Sequence, residues 1–120
     1  MKTTTVQLLP STSYGTPSGN YDGSSEDWSG AQAKAANYYG GFGSLQTAAF
    51  YLLEFQGTIH VQATLSTDPT EDDWFDVSSY TSADPVTVNF SRNIDGNFTW
   101  ARARVENFES GTITKLELSY

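Results

Sequence analysis

Phe55-Gln-Gly-Thr-Ile-His-Val-Gln-Ala-Thr-Leu65, running into Ser66-Thr-Asp-Pro-Thr-Glu-Asp-Asp-Trp-Phe-Asp76, is the stretch whose reading decides the fold. Ile59, Val61, Ala63 and Leu65 alternate with Thr58, His60, Gln62 and Thr64. A period of two is the signature of a strand with one buried face and one wet face, because successive side chains point to opposite sides of a pleated sheet. Gly57 predicts a tight turn into this strand. An acidic loop follows at once and ends in the aromatic pair Trp74-Phe75.

The same periodicity recurs on both sides. Val86, Val88 and Phe90 share one phase of a short run. Ala101, Ala103 and Val105 share another, with Phe98, Trp100, Arg102 and Arg104 on the opposite face. Leu116, Leu118 and Tyr120 align along the last run. Residues 45–55 are apolar on both faces near their centre, which suits a central strand. Trp74 to Val77 reads as a short strand. Asp95-Gly96 predicts a hairpin turn between two strands, and Glu109-Ser-Gly111 a second turn. About seven short strands separated by turn residues argue an all-β domain over residues 31–120, an antiparallel β-sandwich or jelly roll.

The N-terminal part differs. Thr3 to Leu9 reads as a short strand. From Pro10 to Gly30 the composition shifts to Ser, Gly, Pro, Asn and Asp, with Tyr14, Tyr21 and Trp28 as isolated aromatics. Such a segment cannot bury enough surface to order itself. Residues 1–30 are therefore expected to be an extended arm, or a loop pinned onto a partner by its three aromatics. Ala31 to Asn37 reads either as a short helical piece or as the strand before a hairpin at residues 38–41.

Composition narrows the function classes. With 14 acidic and 6 basic residues, the net charge of −8 disfavours nucleic acid and anionic membrane surfaces, since both require a basic patch. The chain has no cysteine, which fits folding in a reducing cytoplasm. The N-terminus lacks the apolar stretch of a signal peptide, and no window approaches a transmembrane span. Arg92, Arg102, Arg104 and Lys115 lie in the last third, while the acids cluster at 22–27 and 68–76. That asymmetry fits either pairing between copies or pairing between neighbouring strands of one copy.

Few residues suggest catalysis. His60 is the only histidine, and it falls on the polar phase of its strand, so it reads as a surface histidine and not as part of a triad. Asp68, Glu71, Asp72 and Asp73 offer oxygen ligands for Ca²⁺ but lack the spacing of a calcium loop, and no other cofactor is expected. Paired carboxylates for glycoside hydrolysis would need a cleft that a small, turn-rich domain has little room to form. Trp28, Trp74 and Trp100 are candidates for an aromatic sugar platform, with Asp72 or Asp73 bonding hydroxyls. The competing reading makes the tryptophans core or interface anchors. Asn89-Phe-Ser91 and Asn97-Phe-Thr99 match the glycosylation pattern but fall on predicted strands.

Two resemblances follow from these motifs. Ile59 to Ser66, Asp73-Trp74 and Trp100-Ala-Arg-Ala-Arg-Val105 loosely resemble discoidin-like, galactose-binding-like β-sandwiches, which bears on fold more than on function. Gln46-Thr47, Phe55 to Leu65, Asp68-Pro69, Asp73-Trp-Phe-Asp-Val77, Gly96 to Val105 and Gly111 to Tyr120 resemble small structural proteins of tailed bacteriophages, of the T4-like cyanophage and marine phage type. The second resemblance implies a virion component made in the host cytoplasm, in capsid decoration or in the neck or tail. The expectation is thus a non-enzymatic structural protein, a homo-oligomer contacting other virion proteins. It would assemble through Tyr14, Tyr21 and Trp28 of its arm and through Trp100, Arg102 and Arg104 on an exposed strand face. The alternative is a carbohydrate-binding module for host surface polysaccharide.

Overall fold

The computed structural model describes residues 4–38 and 45–120. They form an all-β fold in which three long strands dominate: β5 (Leu45–Thr64), β6 (Phe75–Asp95) and β7 (Trp100–Ser119). Four short strands precede them: β1 (Thr5–Leu9), β2 (Thr12–Ser13), β3 (Trp28–Ser29) and β4 (Ala33–Lys34). All belong to one antiparallel sheet with β5 between β6 and β7, while β1 to β4 line up in turn along the far edge of β7. The hairpin expected at residues 38–41 lies, for residues 39–41, outside the described residues.

A straight β5 would run about 60 Å at roughly 3.3 Å per residue, yet the molecule's longest extent is 39 Å. The chain between β6 and β7 shows how far the strand bends. Asp95 sits beside Leu45 at one end of β5, and Trp100 beside Thr64 at the other. Residues 96–99 join them, and such a connection reaches at most about 19 Å. The two ends of β5 therefore lie close together, pinned by hydrogen bonds from Gln46 Nε2 to Gly96 O (3.0 Å) and from Thr99 N to Thr64 O (2.9 Å). The sheet is folded double over its own core.

Hydrogen bonding continues through the bend, so the expected all-β antiparallel fold is built as one sheet of seven strands. β-Bulges make this possible, since an extra residue kinks a strand and resets its phase. In β5 the inward residues are Gln46, Ala48, Phe50 and Leu52, then Phe55, Gly57, Ile59, Val61 and Ala63, with Thr64 also buried where the strand ends. The change from even to odd numbers falls at the bulge around Leu53 and Glu54, and it keeps the same face inward on both sides of the bend. In β7 the phase changes after Val105, again before Ile113 and once more before Leu116. Glu54 and Asn107 adopt left-handed backbone angles (φ 53° each) at these points.

The strand pairing revises the turn expectations and places the described part of the N-terminal segment. Gly57 and Glu109-Ser-Gly111 are bends within strands and not turns between them. Asp95-Gly96 is a turn, but β6 and β7 flank β5 on opposite sides and form no hairpin with each other. The described part of the N-terminal segment is no free arm: it follows β7 along its length and places Leu8, Leu9, Tyr21 and Trp28 in the core. It is a pinned segment, and the surface that pins it is the chain's own sheet.

Candidate functional site

The acidic loop between β5 and β6 and the start of β7 meet at one end of the folded sheet. Thr64 pairs with Trp100 and Ala63 with Phe75, so Leu65, Phe75 and Trp100 gather where the loop leaves the sheet. Leu65 and Phe75 are 61% and 55% exposed. Trp74 and Trp100 beside them are half-buried. Large apolar groups left in water together, next to further aromatics, mark a contact surface more often than isolated ones do.

The loop is held rigidly. Arg102, on the outer phase of β7, is itself almost buried. Its guanidinium makes a two-pronged bond to Glu71 (3.0 and 2.9 Å), and its Nε donates to Gln62 Oε1 (2.8 Å). It also lies 4.5 Å from the centre of the Trp74 ring, a cation–π contact. The Glu71 carboxyl is held below its usual range, chiefly by the hydrogen bond from Arg102 and then by that residue's charge. Trp100 Nε1 donates to Thr67 O (3.1 Å), and the Tyr38 ring meets the Trp100 ring edge-on at 4.8 Å.

The acids do not converge as calcium ligands. Glu71 turns to Arg102. Asp73 accepts from Thr70 N (2.7 Å) and Thr70 Oγ1 (3.2 Å), fixing the single 3₁₀ turn Glu71–Asp73. No group of three metal-ligating side chains occurs among the described residues. Asp72 and Asp73 instead line a recess of about 180 Å³ with Thr64, Leu65, Ser66 and Phe75.

The expected tryptophan platform does not assemble. Trp28 is in the core against Tyr21 (5.1 Å) and Phe108 (6.3 Å), and its Nε1 is buried without a hydrogen-bond partner. Tyr21 is likewise buried, so neither side chain is placed to anchor a partner. Tyr14 is 51% exposed but packs edge-on against Phe108. Of the arginines expected at an interface, Arg102 is committed to its own loop. Arg104 is partly buried and donates to Ser29 Oγ (3.1 Å), tying β7 to β3. Trp74 lies against Arg102, and Trp100 is tied to the same loop through Thr67 O.

One arrangement escaped the sequence reading. His60 Nδ1 shares a 2.6 Å hydrogen bond with Ser79 Oγ, and its Nε2 lies 2.5 Å from Glu106 Oε1, with Asp76 3.8 Å from Nδ1. A serine, a histidine and a carboxylate in a line are the ingredients of a nucleophilic triad. Here they are direct and diagonal neighbours across three strands. The recess of about 300 Å³ nearby, lined by residues such as Gln56, Thr58, Asn107 and Glu109, includes none of the three. Cross-strand polar pairing accounts for these contacts.

The apolar end of the sheet, held by Arg102, is the candidate site. Set against known proteins, the chain matches no family model, no curated protein and no solved structure.

Proposed function

We propose that this protein is a non-enzymatic assembly component that docks through the Leu65–Phe75–Trp74–Trp100 end of its sheet. The exposure of Leu65 and Phe75 at the two ends of a loop held by the Arg102–Glu71 pair carries this reading. A pre-ordered loop loses little conformational entropy on docking, and aromatics around an Arg are the usual energetic centre of a protein interface. The resemblance to virion proteins of tailed phages supplies the setting, in which the partners are further copies or other virion proteins. The experiment is light scattering of the purified protein, alone and with isolated particles, for wild type and Leu65→Ser/Phe75→Ser. The double variant is expected to keep its melting temperature and lose association at least tenfold. Unchanged association would overturn the proposal.

The recess beside Phe75 favours one second reading. An exposed aromatic with two adjacent carboxylates, Asp72 and Asp73, is the chemistry that stacks on a sugar ring and bonds its hydroxyls. Titrating host polysaccharide against the fluorescence of Trp74 and Trp100 tests it: a saturable shift lost in Phe75→Ala supports glycan binding, and a flat titration rejects it.

A further inference from the structure

The two edges of the sheet are unlike. Along one, β1 to β4 are short pieces separated by loops, a form that offers no long template for another strand. The other edge is β6, 21 residues long, and no strand among the described residues pairs with its outer side.

β6 also leaves the core open. On β5 the inward side chains are buried without exception from Gln46 to Leu52 and from Ile59 to Ala63. On the neighbouring β6, Val77, Tyr80, Val88 and Phe90 are only half-buried although they pack against the same core, and half-buried Val86 pairs with the buried Phe55. Phe90 stacks on Phe50 at 4.6 Å and touches Tyr80 at 4.7 Å, so the aromatic layer of the core continues to this edge and stops in solvent.

We propose that β6 is a dimerisation edge, pairing antiparallel with the β6 of a second copy about a two-fold axis through Val88. Opposed residues of antiparallel strands lie on the same face. This register sets Val88 against itself and Val86 against the partner's Phe90, which carries the apolar stripe across the axis. It also brings Arg92 close to the partner's Asp84, which sits in the bulge of β6 at residues 83–85, twice by symmetry. Both are exposed, and Arg92 lies over the Phe90 ring at 5.2 Å. The self-complementary charges select a copy of this chain as the occupant. The paired span from Asp84 to Arg92 contains neither Leu65 nor Phe75, so the two proposals are tested by substitutions at different positions.

Sedimentation equilibrium with a charge-swap set tests the proposal. Wild type is expected to dimerise, Arg92→Asp and Asp84→Arg to weaken the dimer at least tenfold each, and the double swap to restore it. Far-ultraviolet circular dichroism checks that each variant is folded. A second readout uses the absence of native cysteine. Residues opposed across an antiparallel pair have Cα atoms about 4.5–5.5 Å apart, within disulfide range. Val88→Cys is thus expected to oxidise to a covalent dimer, while Glu26→Cys at the same concentration does not. A monomeric wild type at several hundred micromolar, charge reversals without effect, or equal cross-linking at positions 88 and 26 would each overturn it.

Discussion

Arg102 shows how one side chain can serve two scales at once. It sits on the outer phase of its strand, where alternation predicts exposure, yet Gln62, Trp74 and Glu71 enclose it. Removing Glu71's charge would leave a guanidinium nearly out of water without its carboxylate. Because Glu71 itself faces solvent, the expected cost of Glu71→Gln at neutral pH is only ~1 kcal/mol. The pH dependence has a defined sign. The folded-state pKa of Glu71 is depressed below 4.5, so its contribution is full above that value and fades as pH falls through the folded pKa. Urea midpoints of wild type and Glu71→Gln should differ at pH 6, and the difference should narrow as pH falls below 4.5. A gap that did not narrow in acid would show that the ion pair is not its source. Asp22 obeys the same rule: the N–H groups of Ser24 and Ser25 hold its carboxyl at about 2, against an ordinary 3.8. Asp22→Asn should therefore lose its difference from wild type only in the most acid range.

At the scale of the element, the bends decide the architecture, and they were the least legible part. Alternation identified Ile59 to Ala63 and Ala101 to Val105 correctly, because burial on one face is a local pattern. The breaks at Gly57 and Glu109-Ser-Gly111 were also visible, but glycine and small polar residues mark a turn and a bulge alike. Only the non-local pairing of β5 with both neighbours separates the two. The same non-locality hid the contacts of His60 and Arg102, whose partners are set by a register that depends on the bulges. A Cβ at Gly111, which has φ 91°, would stand 2.1 Å from Glu54 O, so Gly111→Ala should cost about 3 kcal/mol or more in urea unfolding. The facing residue gives the opposite expectation. Glu54 carries a left-handed backbone with a full side chain, and Glu54→Gly relieves about 1 kcal/mol of that strain. It gives up the Thr87 hydroxyl bond to Glu54 Oε1 (3.1 Å) on an exposed face. A net change between zero and modest stabilisation is expected, and a loss comparable to that of Gly111→Ala would show that the bulge does not strain Glu54.

For the whole molecule, the question is what the first thirty residues do. Their Ser, Gly and Pro content argued for a segment unable to order itself, and taken alone that inference is sound. What composition could not show is that the segment borrows a template, the far edge of β7, and needs only a few large side chains to stay on it. Leu8 and Leu9 fill the inner layer beneath β1, and Tyr21 and Trp28 pack on Phe108 at the bend of β7. Tyr21 is fixed further by its hydroxyl, which accepts from Gly15 N (3.0 Å), and Gly30 N donates to Ala103 O (2.8 Å). Four large side chains of this kind contribute roughly 6–12 kcal/mol by burial alone. That is comparable to the entire stability of a typical domain, about 5–15 kcal/mol. Deleting residues 1–30 should therefore unfold the protein and not simply free it from partners. Circular dichroism and a thermal melt of the truncated chain provide the check. The expected trace has no cooperative transition, and adding the peptide of residues 1–30 in trans should restore one. A truncated chain that melted cooperatively near the wild-type temperature would show that the sheet closes without its N-terminal edge, and would return these residues to the role of a detachable arm.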